Sequence, residues 1–337
     1  MSLPQFVNQM LPAIENELQR QIARLDEPRT RPFYKMLTYH MGWSGEGAGP
    51  EAAGKRIRPL MTLLVTASCG ADWMPALPAA AAVELVHNFS LVHDDIQDHS
   101  EKRRGRPTVW TKWGAPMAIN VGDALFVLSN QAITDLQGQY APETVLQAAR
   151  ILHDTCLDLT RGQFLDMSYQ NRDDLRVEDY WPMIAGKTAA LLTACCHIGA
   201  ILGNAETSTQ DAYRSFGYTL GLAFQVQDDI LGIWGDEAIT GKSAASDLLE
   251  GKKSLPILYG LNARGKFAQR WAQGPISPGE ISTLAETLAS EGAYEYTHDI
   301  SRQMTNMALT HLREADPQGE AGLALIELSN KLMQREQ

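Results

Sequence analysis

The sequence predicts an all-α protein, a single-domain bundle of long helices around a central cavity. Three observations carry that expectation. Apolar residues recur at three- and four-residue steps through almost the whole chain, the spacing of one face of a helix. No stretch alternates apolar and polar residues over strand length, and no fixed repeat or low-complexity tail interrupts the pattern. No shift of composition marks a linker, so residues 1–337 read as one domain, long enough to bury its core without disulfides or a structural metal.

Along the chain, Phe6, Met10, Ile14, Leu18, Ile22 and Leu25 form one apolar stripe over residues 5–25. Residues 28–54 contain Pro28, Pro32, Pro50 and five glycines from Gly42 onward, and read as a long irregular surface connection. A buried helix is expected from Pro59 to Ser68, because proline is tolerated in a first turn. Further helices fit 76–102, 113–137, 142–168, 177–203, 209–236, 254–272, 278–290, 293–315 and 319–335. Breaks fall at Gly105-Arg106-Pro107, Ala141-Pro142 and Gly274-Pro275.

Lys and Arg total 29 against 40 Asp and Glu, a formal charge of −11. That balance excludes nucleic acid as an expected partner, since a polyanion needs a basic footprint. An anionic ligand would have to be met by local basic clusters or by metal ions. Cys69, Cys156, Cys195 and Cys196 show no CxxC spacing, so no disulfide framework is expected. The opening MSLPQFVNQMLPAIENELQR lacks the basic and apolar regions of a signal peptide. The longest uncharged run, 188–205, is short for a membrane span and is broken by polar residues. The expected location is cytoplasmic, with no span.

The chemistry is concentrated in a few segments. In VELVHNFSLVHDDIQDHSEKRRGRPT (83–108), Asp94 and Asp98 lie four apart, on one helix face, with Asp95 beside them. Three carboxylates where an apolar helix opens to water suit Mg²⁺, a hard cation that takes one or two carboxylates and completes its shell with water and phosphate. A second apolar helix, GLAFQVQDDILG (221–232), also ends in paired acids, Asp228 and Asp229. Two such clusters could hold several Mg²⁺ ions around one polyphosphate.

Basic residues are few and clustered: Lys55-Arg56-Ile57-Arg58, Arg103-Arg104-Gly105-Arg106, Gly186-Lys187-Thr188, Gly241-Lys242-Ser243 and Gly251-Lys252-Lys253-Ser254. No GxxxxGK[ST] loop, GxSxG elbow or GxGxxG fingerprint occurs. Neither His93 nor His99 has partners at zinc-site spacing, and His87 lies two turns before Asp94 on nearly the same face.

Taken in order, AGKRIRP (53–59), DDIQD (94–98) followed by RRGRPT, GKT (186–188), FQVQDDILG (224–232) and GKSAASDLLEGKKSLP (241–256) resemble the blocks of the trans polyprenyl synthase family over about residues 50–335. The resemblance implies an all-helical isoprenoid synthase-like fold, a homodimer and Mg²⁺ (three ions per site, with Mn²⁺ able to substitute). It also implies an enzyme that condenses an allylic diphosphate with isopentenyl diphosphate. Carried over by position, Lys55, Arg58, His87 and Arg104 bind isopentenyl diphosphate. Asp94, Asp98 and Asp228 hold metal. Arg103, Lys187, Thr188, Gln225, Lys242 and Lys252 grip the allylic diphosphate, with Lys187 and Lys242 also acting in catalysis. Two departures stand out. Ala53-Gly54 replaces the family's paired glycines, and Gly232 replaces the fifth-position acid of the second motif.

The resemblance also places chain-length control four and five residues before Asp94, at Ser90 and Phe89. A small residue beside an aromatic one implies geranylgeranyl diphosphate as product, with farnesyl diphosphate second. A class I terpene cyclase would share the acidic clusters but not need Lys55, Arg58, His87 and Arg104. A catalytically silent subunit should have lost an acidic motif, and here only Gly232 departs.

Overall fold

The stripe of the first twenty residues becomes helix α1 (Leu3–Ile22), which buries Phe6, Met10, Ile14, Leu18 and Ile22 completely or nearly so. A computed structural model describes residues 1–235 and 246–333, and among these the chain is overwhelmingly helical. It divides into two units, each described by itself. Unit one holds Met1–His153, Ala194–Gln210 and Asp316–Leu325. Unit two holds the described residues of Asp154–Thr193, Asp211–Ala315 and Ile326–Gln337.

In unit one, helix α2 (Arg31–His40) corrects the expectation of an irregular connection over 28–54. Pro32 stands in its first turn, where a missing N–H is not needed, and Met36, Leu37 and Tyr39 are buried. Pro50 likewise opens a short helix, α3 (Pro50–Ala53). Both prolines start helices rather than break them. Helix α4 (Ile57–Ser68) begins two residues before Pro59, after Arg56 turns the chain through a left-handed conformation at φ 48°.

Helix α5 (Leu77–Gln97) ends earlier than expected. Asp98 caps it, and His99 at φ 52° is left-handed and cannot continue it. A hairpin follows, with β1 (Lys102–Arg103) antiparallel to β2 (Arg106–Pro107) and Arg103 opposite Arg106. Its turn, Arg104-Gly105, has positive φ at both residues (50° and 74°), the geometry that matches strand twist in a two-residue loop. The expectation of no strands fails here because two-residue strands are too short to show alternation. Helices α6 (Val109–Trp113) and α7 (Ala115–Thr134) complete the layer, with α7 running along α5 and α1 and α4 also packed on α5.

Helix α8 (Pro142–Tyr169) contributes its later part to unit two. The single helix expected over 177–203 is α9 (Val177–Ile184), a wider π-type turn at Ala185–Ala189, and α10 (Ala190–Leu202). The turn presses on α8 with no side chain between. A Cβ on Gly162 would lie 2.1 Å from the Lys187 nitrogen. Helix α11 (Thr207–Trp234) is followed by α12 (Ser246–Glu250). The helix expected over 254–272 is divided into α13 (Leu255–Ala263) and α14 (Lys266–Trp271), because Arg264 adopts φ 55°. Then come α15 (Ile281–Ser290), α16 (Ala293–Glu314) and α17 (Gly319–Met333). Tyr180, Ile184, Leu222, Val226, Leu255 and Leu258 form one apolar core of this unit; Ile233, Leu248, Phe267 and Leu288 form another.

Two helical stretches, Met74–Gln97 and Val177–Leu202, are long and apolar enough to cross a membrane, but most of each is buried inside the protein. None of the four cysteines is in a disulfide.

Candidate functional site

In unit one the site begins where α5 stops. Asp94 is partly open and Asp98 exposed, whereas the Asp95 side chain is only 3% exposed. The last turn of α5 has no basic residue, so the carboxylates add to the negative potential of a helix C-terminus. The hairpin supplies an answering charge. Arg103 Nε donates to Asp95 Oδ1 at 2.8 Å, and its Nη2 lies 3.8 Å from Asp94. Burial, more than any neighbouring charge, pushes the Asp95 carboxyl up to about 6. Asp94 and Asp98, both less buried than Asp95, offer hard oxygen donors at the surface. Among the described residues no three His, Cys, Asp or Glu side chains gather about one point. A cation bound here would therefore draw most of its shell from water and phosphate, as Mg²⁺ does.

The cations of the same unit divide into two kinds. Arg56, 4% exposed, is structural: it ion-pairs with Glu84 at 2.8 Å and Glu15 at 2.6 Å, and reaches the Met41 carbonyl. Arg106, 8% exposed, is bound by the Glu46, Tyr39 and Ser44 carbonyls. Lys55 is exposed, and Arg58 is half-buried with Nη1 3.3 Å from His87 Nε2. Burial and then Arg58, Arg104 and Arg103 hold His87 well below the usual histidine range. The ring is therefore neutral and accepts from Arg58. Burial, followed by Arg103 and Arg104, likewise pushes His40 down to about 3.

Arg104 Nη1 donates to the Ala52 and Ala53 carbonyls at 3.0 and 2.7 Å. Its guanidinium lies over Gly54, where a Cβ would come within 2.6 Å, and Gly54 itself has φ 86°. Of the paired glycines the resemblance leads one to expect, the second is the one this geometry requires. Position 53 has no positive φ, so Ala53 is accommodated.

Phe89 is half-buried, with its ring 5.4 Å from that of His93 and 5.2 Å from that of Phe126 on α7. Ser90 donates back to the His87 carbonyl at 2.7 Å.

Unit two builds its own group around α11. Lys187, on the π-type turn, donates to Asp166 on α8 at 2.5 Å. Thr188 donates to Gln225 at 2.6 Å, and Gln225 donates to Asp229 at 2.8 Å. The other Asp229 oxygen accepts from the Tyr180 hydroxyl at 2.7 Å and from the Leu255 N–H at 2.9 Å. Asp229 is thus a buried hub, pushed up to about 7 by desolvation and then by Asp247, while Asp228 beside it is exposed. Lys252 is half-exposed and lies 2.7 Å from Glu250. Lys242 lies outside the described residues.

Sequence reading did not find Asp166, Tyr180, Glu15, Glu84 or Phe126. Only Asp166 left a mark, because Gly162 precedes it by one turn on the face that meets Lys187. The others are joined to their partners by packing of distant segments, which no local spacing records.

The polyprenyl synthetase family profile matches residues 49–286. A geranylgeranyl diphosphate synthase of Mycobacterium tuberculosis is 43% identical over 253 residues, covering 74% of this chain and 71% of its own. A (2E,6E)-farnesyl diphosphate synthase of the same species is 35% identical over 327 residues, covering 94% and 89%. The crystal structure of a polyprenyl synthetase from Streptomyces coelicolor A3(2) matches with a TM-score of 0.87 at 35% identity, over 98% of this chain and 99% of that one.

Proposed function

On the premise that this chain belongs to the polyprenyl synthetase family and is a short-chain prenyl diphosphate synthase, a transferase, we propose that it makes geranylgeranyl diphosphate, with farnesyl diphosphate the second choice. The reading takes 1–337 as one catalytic domain, cytoplasmic and acting as a homodimer. Its substrates are isopentenyl diphosphate and an allylic diphosphate. The observation that carries it lies in unit one, where the half-buried Asp94 and the exposed Asp98 accompany Arg58, Arg103 and Arg104, three cations that bear on the half-buried His87.

Lys55, Arg58, His87 and Arg104 are assigned to the isopentenyl diphosphate. His87, held neutral, orients Arg58 without competing for the anion. Arg103, Lys187, Thr188, Gln225, Lys242 and Lys252 are assigned to the allylic diphosphate. Asp166 fixes the direction of Lys187, and the Thr188–Gln225–Asp229 chain fixes the two polar groups beside it. Asp94, Asp98 and Asp228 would hold divalent metal, three Mg²⁺ ions on this reading, for which Mn²⁺ can substitute. When bound, the metal lends the diphosphate leaving group charge neutralisation as the allylic C–O bond parts. The isopentenyl double bond then forms the new C–C bond, and a proton leaves to the departing diphosphate. The apolar flank of α5 excludes water that would quench the allylic cation. Holding both diphosphates supplies the orientation term.

Phe89, wedged between His93 and Phe126, is assigned the stop for the growing tail, with Ser90 leaving room one turn behind Asp94. Incubation with labelled isopentenyl diphosphate and each allylic primer, followed by sizing of the dephosphorylated products, tests the reading. A twenty-carbon product supports it, a fifteen-carbon product moves it to the second choice, and no condensation with any primer removes it.

A further inference from the structure

The chain carries a formal charge of −11, yet one concave surface of unit one is lined by cations and neutral groups alone. It is an open groove of about 960 Å³ between α1, α2, the turn after α2, and α6. Arg20, Lys35 and Lys112 reach it, and no acid is among the described residues that line it. Arg20 is taken by Glu17 and Asp135. Lys35 and Lys112 are exposed, and among the described residues neither has an ion-pair partner. Lys112 is instead held over aromatic faces, its Nζ 4.7 Å from the Tyr39 ring centre and 5.2 Å from that of Trp113. Those two rings meet edge to face at 5.0 Å, and the half-buried Tyr34 and Trp43 extend the aromatic wall. Asn16 and Gln19 add exposed side-chain amides with no hydrogen-bond partner among the described residues. The groove is large enough for a small organic molecule. None of its lining residues is assigned above to either diphosphate, but two hydrogen-bonded paths lead from it toward those residues. Trp43 Nε1 donates to Glu15 Oε2 at 2.7 Å, and Glu15 Oε1 accepts at 2.6 Å from Nε of Arg56, which stands between Lys55 and Arg58. The Tyr39 hydroxyl donates at 2.8 Å to the Pro107 carbonyl, in the hairpin that carries Arg103 and Arg104.

We propose that this groove binds a phosphorylated heteroaromatic molecule of the nucleoside diphosphate kind, and that its occupant acts through Trp43 on the isopentenyl diphosphate site. The ligand class follows from the lining. Lys35 and Lys112 meet the phosphates, Tyr34 and Trp43 offer faces to a flat ring, and Asn16 and Gln19 meet the polar edge of that ring. A prenyl chain would leave the amides without a partner, and inorganic phosphate would leave the aromatic wall uncovered. A ring stacked on Trp43 holds the indole N–H against Glu15, and Glu15 holds Arg56, so the segment from Lys55 to Arg58 is steadied for its anion. The binding site stands on the groove alone; the effect on isopentenyl diphosphate rests on the functional reading above.

The test uses the full chain with ADP as probe, first by calorimetry in chelator, so that metal-dependent binding of diphosphate is silent. Wild type should bind ADP, and inorganic diphosphate about tenfold more weakly for want of a ring to stack. The charge reversal Lys35→Glu/Lys112→Glu should weaken ADP about tenfold or more, because two charge-assisted contacts are lost. Should that protein fail to fold, Lys35→Glu and Lys112→Glu singly carry the same comparison. Trp43→Phe keeps a stacking face and should bind ADP within about threefold of wild type. Arg58→Ala, which disables the isopentenyl site, should bind ADP as wild type does. With Mg²⁺ restored, ADP should lower the wild-type isopentenyl KM about fivefold and leave it unchanged in Trp43→Phe, which lacks the N–H that reaches Glu15. The binding site is overturned if wild type does not bind ADP, if charge reversal leaves the affinity unchanged, or if Arg58→Ala abolishes it. Geranylgeranyl diphosphate displacing ADP from Arg58→Ala in chelator would overturn the ligand class. An isopentenyl KM that ADP leaves unchanged, or raises equally in wild type and the charge reversal, overturns the coupling. Failure of the functional reading would look different: wild type would condense no primer, while calorimetry with ADP would still report on the groove.

Discussion

Arg103 donates a 2.8 Å hydrogen bond from Nε to Oδ1 of the buried Asp95, the middle carboxylate of the first acidic cluster, while its Nη2 lies 3.8 Å from the half-buried Asp94 and Asp98 is exposed. Neighbouring aspartates in one motif thereby have different surroundings. Asp94→Ala should lower turnover about a hundredfold or more, because it removes a metal ligand where transition-state charge develops, with little change in thermal midpoint. Asp95→Ala should instead lower the midpoint, since it strips Arg103 of its buried partner. Steady-state rates after chelation and readdition of Mg²⁺, with melting curves, separate the two. Near-normal turnover in Asp94→Ala would remove the metal assignment.

The cations on either side of Ile57 should also part company. Arg58→Ala is expected to raise the isopentenyl KM more than the allylic one, by an amount corresponding to about 1.5–3 kcal/mol for a lost charge-assisted contact. Arg56→Ala should act on stability, by about 3–5 kcal/mol, because it leaves Glu84 buried without its counter-charge. Substrate titrations and denaturant melts of the two variants give the comparison, and equal shifts of both KM values in Arg58→Ala would contradict the assignment by substrate.

Product length offers a third expectation. Phe89→Ala should lengthen the product by one or more isoprene units while turnover stays near normal, since the metal carboxylates are untouched. Because Phe126 backs Phe89 at a ring separation of 5.2 Å, Phe126→Ala should do the same to a smaller degree. Chromatography of the dephosphorylated products reads the outcome, and an unchanged distribution in a folded, active Phe89→Ala protein would show that the stop lies elsewhere.

Acid should destabilise the metal-free protein through its histidines. His40 titrates near 3 when folded against an ordinary value of 6.5, because it is buried beside Arg103 and Arg104. Between those values the unfolded chain binds a proton that the folded one does not. Stability therefore rises with pH across the window and is lost as pH falls from 6.5 toward 3, at up to about 1.4 kcal/mol per pH unit for this group. His87 is displaced in the same direction and adds to the slope. Urea unfolding at pH 5 and pH 7 should show the loss in wild type and a shallower dependence in His40→Asn. An identical slope in the variant would place the proton uptake on other groups.

The sequence by itself determined the helical class and the candidate residues for chemistry. The 3.6-residue period, present in most segments between Phe6 and the end of α17, predicts the all-α class. Paired acids in two apolar helices, together with five basic clusters, point to metal and phosphorylated ligands before any contact is known. What tertiary structure alone decided is which member of each adjacent set is buried and with which partners. Successive residues on a helix point about 100° apart, so Asp94 and Asp95, or Asp228 and Asp229, cannot both face the same way. Which of them is buried depends on what packs against the helix: a hairpin brings Arg103 to Asp95, and α9 and α13 bring the Tyr180 hydroxyl and the Leu255 N–H to Asp229. The same holds for Arg56, taken up by Glu15 and Glu84. Local spacing fixes the face a residue shares with its neighbours along the helix, but its partner is set by contacts between segments far apart in sequence, and only the folded chain brings those together.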